Sequence, residues 1–343
     1  MKIGILGTQF FGCPPSFYGG AEMVNWYLSC GLAEKGHKVI LYAPDNSQIP
    51  PGGFLYKTGP PIDTVNTDWF EAEKSNWMKC KHTFSELDVL LGSNWFGFEY
   101  ASKREIPDLG VCHVHHGHLN EMWVKQSKPP FNFNMIAISN WMKNVYHDSG
   151  FESRVCHNGI DLDLYPLQKE KTDRFLFLGR IDPIKGVHLA IEAALKSGVK
   201  LDVVGATSFV TDLNYVERVK GMCDGEKIRF IGEVSHEDKV KYLQGARGLI
   251  VCSQFGEPLG LMSIEALSCG TPVVALRDGG IPEVVDESCG FICEDVNGIV
   301  DGISRIESVS ADSCRKRAEV FSKENMTEQY VKRFKEILSG DTW

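Results

Sequence analysis

Short apolar runs recur along the chain, separated by longer amphipathic or polar stretches. The runs at 2–6, 38–42, 88–91, 135–139, 174–178, 201–205, 228–234, 248–251 and 272–276 are continuous, without alternation. Strands covered on both faces have that pattern. Between them, helical spacing predicts helices over about 21–35, 68–79, 95–103, 140–149, 187–196 and 235–244, another from about 261, and two within 308–338. Ser139 or Asn140 suits a helix start, and Ser235 with Asp238 reads as a capping box. Strands alternating with helices predict parallel sheets. Residues 44–61 are rich in Pro and Gly without a period and read as loop.

The 343 residues exceed what one hydrophobic core usually serves, so two domains are expected, with a polar boundary near 166–173. An apolar fraction of 43% and a charged fraction of 24% are those of a globular protein. The net charge of −9 opposes general nucleic-acid binding, which needs a basic face. Eleven cysteines without a CxxC pair read as reduced thiols, and a cytoplasmic location is expected. No apolar run is long enough to span a bilayer, and Thr8 and Gln9 interrupt the first before a signal-peptide core could form. Lys79, Lys81, Lys103, Arg104, Lys125 and Lys128 offer at most peripheral contact with a membrane surface, since acidic residues are interleaved with them.

The chemistry concentrates at 253–275, Ser-Gln-Phe-Gly-Glu-Pro-Leu-Gly-Leu-Met-Ser-Ile-Glu-Ala-Leu-Ser-Cys-Gly-Thr-Pro-Val-Val-Ala. This is a strand, a broken loop, a helix opening at Gly260 and Leu261, and a second strand. In such a unit, helix amides beyond the strand's carboxyl end favour anions. Glu257 on the loop and Glu265 one turn into the helix frame a ligand from two directions. A carboxylate accepts from a ribose diol, so phosphate plus ribose fits both features.

Arg180 and Lys185, in Gly-Arg-Ile-Asp-Pro-Ile-Lys-Gly, project from another strand-to-helix loop. Two cations facing a helix amino end oppose its dipole unless an anion lies between them. Gly19 and Gly20 open the first helix without side chains between its amides and a ligand. In Val-Cys-His-Val-His-His-Gly-His, strand alternation sends His113 and His115 to one face and His116 to the other. No second cluster completes a metal set, so no metal is expected. Asp161 and Asp163 spell Asp-x-Asp but follow an Asn-Gly turn, and a metal role is discounted.

The Glu-x7-Glu spacing within FGEPLGLMSIEALSCGTPVVA, together with the Gly-Arg-x5-Gly loop, resembles the donor site of family 4 retaining glycosyltransferases. The resemblance implies the α/β GT-B fold, with two Rossmann-like, doubly wound parallel-sheet domains facing a cleft. It places an acceptor-side domain at 1–165, with a final helix, 325–343, returning to it, and a nucleotide-sugar domain at 166–324. It implies transfer of a hexose to a hydroxyl acceptor (a saccharide, lipid-linked compound or small molecule) from a nucleoside diphosphate sugar, which is substrate and not cofactor. The assigned catalytic residues are His116, Glu257, Arg180 and Lys185, with His115 as fallback for His116. The donor would lie on Gly19, Gly20, Arg180, Lys185, Gly260, Leu261 and Glu265, beside the hinge at Asn158 and Gly159. A nucleotide-sugar epimerase of the same fold is the alternative.

Overall fold

A computed structural model describes residues 1–17, 19–63, 66–119, 134–208, 210 and 212–343. Lys125 and Lys128 lie outside the described residues. The chain forms two compact units, Met1–Gly159 with Lys323–Trp343, and Ile160–Ser322. The polar stretch 166–173 suggests a later boundary. Buried Tyr165 accounts for the difference, because its carbonyl accepts from Ser268 Oγ at 3.0 Å and Arg315 Nη1 at 2.9 Å, tying this segment to the second unit.

Among the described residues of the first unit, β1 (Lys2–Leu6), β2 (Lys38–Ala43), β3 (Phe54–Lys57), β4 (Val89–Gly92), β5 (Gly110–Val114), β6 (Met135–Ala137) and β7 (Ser153–Val155) form one parallel sheet. Its order is β3-β2-β1-β4-β5-β6-β7. Direction of winding reverses between β1 and β4, which opens a crevice at their carboxyl ends. The final helix, Lys323–Leu338, packs on helix Gly20–Glu34. A Cβ on Gly31 would sit 2.1 Å from Thr327 Oγ1, so glycine permits the close crossing. Lys323 Nζ meets Glu34 Oε1 at 2.8 Å.

The second unit repeats the design. Its described strands are β8 (Arg174–Leu178), β9 (Lys200–Val204), β10 (Ile228–Gly232), β11 (Leu249–Val251), β12 (Val273–Leu276) and β13 (Gly290–Cys293). They run parallel in the order β10-β9-β8-β11-β12-β13, reversing between β8 and β11. Phe175, Phe177, Ile191, Leu201, Val203, Ile250 and Val274 are fully or almost fully buried beneath the helices.

Some expectations from the sequence change. β3 lies within the stretch read as loop; it is a sheet edge with both faces partly exposed, so it lacks an apolar signature. Residues 95–103 form a 3-10 turn, Phe98–Ala101, and a short helix, Ser102–Glu105, instead of one helix. Gly97 enters that turn left-handed at φ 65, while Asn94 Oδ1 accepts the Phe96 and Gly97 amides. Helices Leu213–Gly221 and Val296–Arg305, and strand β13, were not expected.

Candidate functional site

The loops after β8 and β11 meet where the second sheet reverses. Asp182 accepts from the Ile184 amide at 3.2 Å and caps the turn Pro183–Lys185. Gly186 follows at φ 66, where a Cβ would lie 2.0 Å from the Cys252 carbonyl oxygen. Glycine therefore lets the Lys185 loop rest on the end of β11. Gln254 also donates its amide to Ile184 O at 2.8 Å.

This contact brings two predicted residues together. Lys185 Nζ lies 2.6 Å from Glu257 Oε2, and Ser253 Oγ donates to the same oxygen at 3.1 Å. The ammonium also faces the Phe255 ring at 4.3 Å. Asp278 fixes the glutamate's backbone, accepting the Gly256 and Glu257 amides at 2.9 Å each. Arg180 stands at the start of the loop that carries Lys185, 3.9 Å from fully buried Asp182.

Gly260 begins helix Leu261–Ser268 at φ 89 and supplies no side-chain cap. Its missing Cβ leaves room for Ile281, whose Cδ1 would otherwise be 2.4 Å away. The helix amino end therefore presents backbone amides, with Glu257 on the loop that leads into it and Lys185 on the loop after β8 that meets Glu257. That combination suits an anionic ligand.

Glu265 belongs to a second cluster. Its Oε1 accepts from Tyr165 Oη at 2.6 Å and pairs with Lys239 Nζ at 2.7 Å. Neither Tyr165 nor Lys239 carries a motif that would mark it in the sequence.

In the first unit, Gly19 precedes the helix at φ 152, where a Cβ would come within 2.8 Å of Pro15 Cβ. Gly20 is the helix's first residue and is exposed. Glu22, one turn in, is buried and bonded to Thr8 Oγ1. Burial raises its pKa, and the Thr8 bond opposes that shift.

The histidine run divides as alternation requires. His113 is fully buried, with Nδ1 2.7 Å from Glu99 Oε1, and its ring stacks toward His115 at 5.9 Å. His116 faces otherwise and keeps a partly exposed edge. Its Nε2 lies 3.0 Å from Ser93 Oγ, and Asn158 Nδ2 approaches its Nδ1 at 3.4 Å. With Asn158 donating to Nδ1, the proton sits on Nε2 and is donated to Ser93. Burial, then His113, push the His116 pKa down to about 4. His115 is buried more deeply, its Nε2 3.3 Å from the His118 carbonyl, and its pKa falls to about 3. Of the two, His116 is the less buried.

Gly159 donates its amide to Met326 Sδ at 3.1 Å, at the last position of the first unit's main segment. Asp161 caps a turn by accepting the Asp163 amide at 3.2 Å, which gives the Asp-x-Asp a structural use. Among the described residues, no group of three His, Cys, Asp or Glu is placed to hold a metal, and no helix is long and apolar enough to cross a membrane. Lys79, Lys81 and Lys103 are engaged by Thr58 O, Glu105 and Leu109 O.

Residues 166–325 match the model for glycosyl transferases group 1, and residues 18–164 match that for Glycosyltransferase Family 4. The chain belongs to glycosyltransferase family 4.

A D-inositol 3-phosphate glycosyltransferase of Mycobacterium sp. (strain JLS) is 29% identical over 170 residues. That alignment spans 45% of this chain and 38% of the relative, so the chain matches well under half of that relative's length. Over the full length, the family 4 chain superposes on a sucrose-phosphate synthase from Thermosynechococcus elongatus with a TM-score of 0.81 at 20% identity, covering 99% of this chain and 100% of that one. It matches Anabaena Alr3699/HepE, solved with UDP and glucose, with a TM-score of 0.76 at 18% identity, covering 98% and 99%. These likenesses establish the GT-B fold.

The sequence passes over an aromatic group in this family 4 chain. Phe10 and Trp95 follow β1 and β4, the strands between which the first sheet reverses. Half-exposed Trp69 lies 4.8 Å from Phe10 and 6.2 Å from Trp95, and Trp95 stands edge-on to His115 at 5.0 Å. Single aromatics scattered over 10–95 give no periodic signal; only the topology gathers them.

Proposed function

We propose that this chain transfers a hexose, with retention at the anomeric carbon, from a nucleoside diphosphate sugar to a hydroxyl acceptor without a metal ion. The second unit would hold the donor and the first would receive the acceptor. The observation that carries this reading is Lys185 beside the open amino end of helix Leu261–Ser268, at the point where the sheet reverses. Anabaena Alr3699/HepE, of the same fold, binds UDP-glucose, which supports the choice of donor.

In the reaction, the bond between the anomeric carbon and the β-phosphate oxygen breaks, and negative charge grows on the departing diphosphate. Lys185, Arg180 and the amides at Gly260 and Leu261 would stabilise that charge more in the transition state than before it. The acceptor hydroxyl forms the new bond on the same face, and its proton passes to the leaving phosphate oxygen. Glu257 would accept from sugar hydroxyls through the oxygen not engaged by Lys185. Neutral His116 would serve as a hydrogen-bonding group and not as an acid, since its pKa lies near 4.

The test is incubation with UDP-, ADP- and GDP-hexoses and a panel of saccharide, inositol phosphate and lipid-linked acceptors. Nucleoside diphosphate release coupled to an acceptor, with a product of the donor's anomeric configuration by NMR, supports the proposal. An inverted product removes retention; activity abolished by a chelator and restored by a divalent metal removes metal independence.

A further inference from the structure

The carboxylate read as the ribose ligand is held by two neighbours from separate parts of the second unit. Tyr165 Oη donates to Glu265 Oε1 at 2.6 Å, and Lys239 Nζ reaches the same oxygen at 2.7 Å. The two also touch each other, with Lys239 Nζ 3.2 Å from Tyr165 Oη and 5.4 Å from the centre of its ring. Tyr165 is fully buried and Glu265 only 8% exposed.

Both partners are themselves fixed. Ser268 and Arg315 donate to the Tyr165 carbonyl. Lys239 lies in the first turns of helix His236–Gly245, whose start Ser235 caps by accepting the Asp238 amide at 3.1 Å. The His236 ring stands edge-on to the Tyr165 ring at 5.4 Å and closes that side.

A carboxylate has roughly two acceptor positions on each oxygen. Tyr165 and Lys239 occupy those of Oε1, and among the described residues no hydrogen bond takes up Oε2. A free glutamate would lose rotamer freedom on binding a diol; one already fixed does not. We propose that Lys239 and Tyr165 are positioning residues that lock Glu265 through Oε1, so that Oε2 accepts from a ribose diol and the site prefers ribonucleotides to deoxyribonucleotides. This inference rests on the donor-site reading above. Neither residue need touch the nucleotide, and the preference is expressed through Glu265.

The experiment is calorimetric titration of the full chain with UDP, ADP and GDP, then with the 2′-deoxy and 3′-deoxy analogues of the tightest binder. It compares the wild type with Lys239→Met, Tyr165→Phe and Lys239→Arg. The wild type should prefer the ribonucleotide by about tenfold, the size of one charged hydrogen bond. Lys239→Met and Tyr165→Phe should each reduce that ratio to about twofold or threefold, and Lys239→Arg should largely restore it. The ratio is insensitive to a general loss of stability, because both ligands see the same folded protein. Variants that weaken ribo- and deoxyribonucleotides equally would overturn the positioning role and leave the donor site standing. A wild type that binds both equally would remove the ribose role of Glu265 and this inference with it. Binding of none of the three nucleotides would overturn the donor-site reading itself.

Discussion

Lys185 and Glu257 meet at 2.6 Å across two loops that leave adjacent strands, and both side chains are mostly buried. The lysine's charge is thereby shared between a carboxylate and any anion that reaches the helix amino end. Glu257→Gln should free the ammonium, so affinity for a nucleoside diphosphate should rise by about threefold while turnover falls. Lys185→Ala should weaken the same nucleotide by about tenfold or more, the scale of a lost charged hydrogen bond. Calorimetry and steady-state kinetics read both; loss of affinity in Glu257→Gln would show that the glutamate itself binds the nucleotide.

Gly260→Ala should destabilise the second unit by about 1 to 3 kcal/mol, since a side chain at positive φ is strained and its Cβ would press on Ile281. Thermal denaturation measures this, and an unchanged midpoint would mean that the Ile281 side chain yields freely.

Much of this site is legible in the sequence because its residues sit at fixed offsets within strand-loop-helix units. Arg180 and Lys185 fall in the loop after β8, and Glu257, Gly260 and Glu265 in the loop and helix after β11, each behind a strand that an apolar run announces. What the sequence hides is pairing across distance. Lys185 contacts a glutamate 72 positions away, and Tyr165 one 100 positions away. Nothing local marks either contact. Edge strand β3 is hidden for another reason, since its partly exposed faces remove the apolar run that reveals the central strands. Phe10 and Trp95 come within 6.4 Å only because β1 and β4 are neighbours.

Stability should change with pH in two opposed ways. His115 and His116 have pKa values near 3 and 4 when folded, against 6.5 ordinarily, so the unfolded chain takes up protons first as pH falls. Their stabilisation is present above pH 6.5 and lost on acidification toward pH 4. Burial raises Glu73 from 4.5 to about 8 in the folded chain, although both its oxygens accept the Trp95 amide. Its contribution is complete below pH 4.5 and lost as pH rises through 8. Glu73→Gln should therefore abolish a decline of about 2 kcal/mol between pH 6.5 and 8, read from thermal midpoints across that range. A decline of the same size in the variant would remove Glu73 as its source.

His116→Ala should lower turnover by about tenfold to a hundredfold, the cost of one or two hydrogen bonds near a reacting centre. Affinity for the nucleotide alone should be nearly unchanged, because the side chains proposed to hold its phosphates and ribose, Arg180, Lys185 and Glu265, belong to the second unit. Steady-state kinetics paired with calorimetry separates the two effects, and an equal fall in both would place His116 in donor binding.

The most direct test of the account is calorimetric titration with UDP, ADP and GDP beside the corresponding monophosphates, in wild type and Arg180→Ala. A diphosphate clamp predicts that one nucleoside diphosphate binds at least about tenfold more tightly than its monophosphate, and that Arg180→Ala removes most of the difference. Equal binding of mono- and diphosphate, or binding of neither, would contradict it.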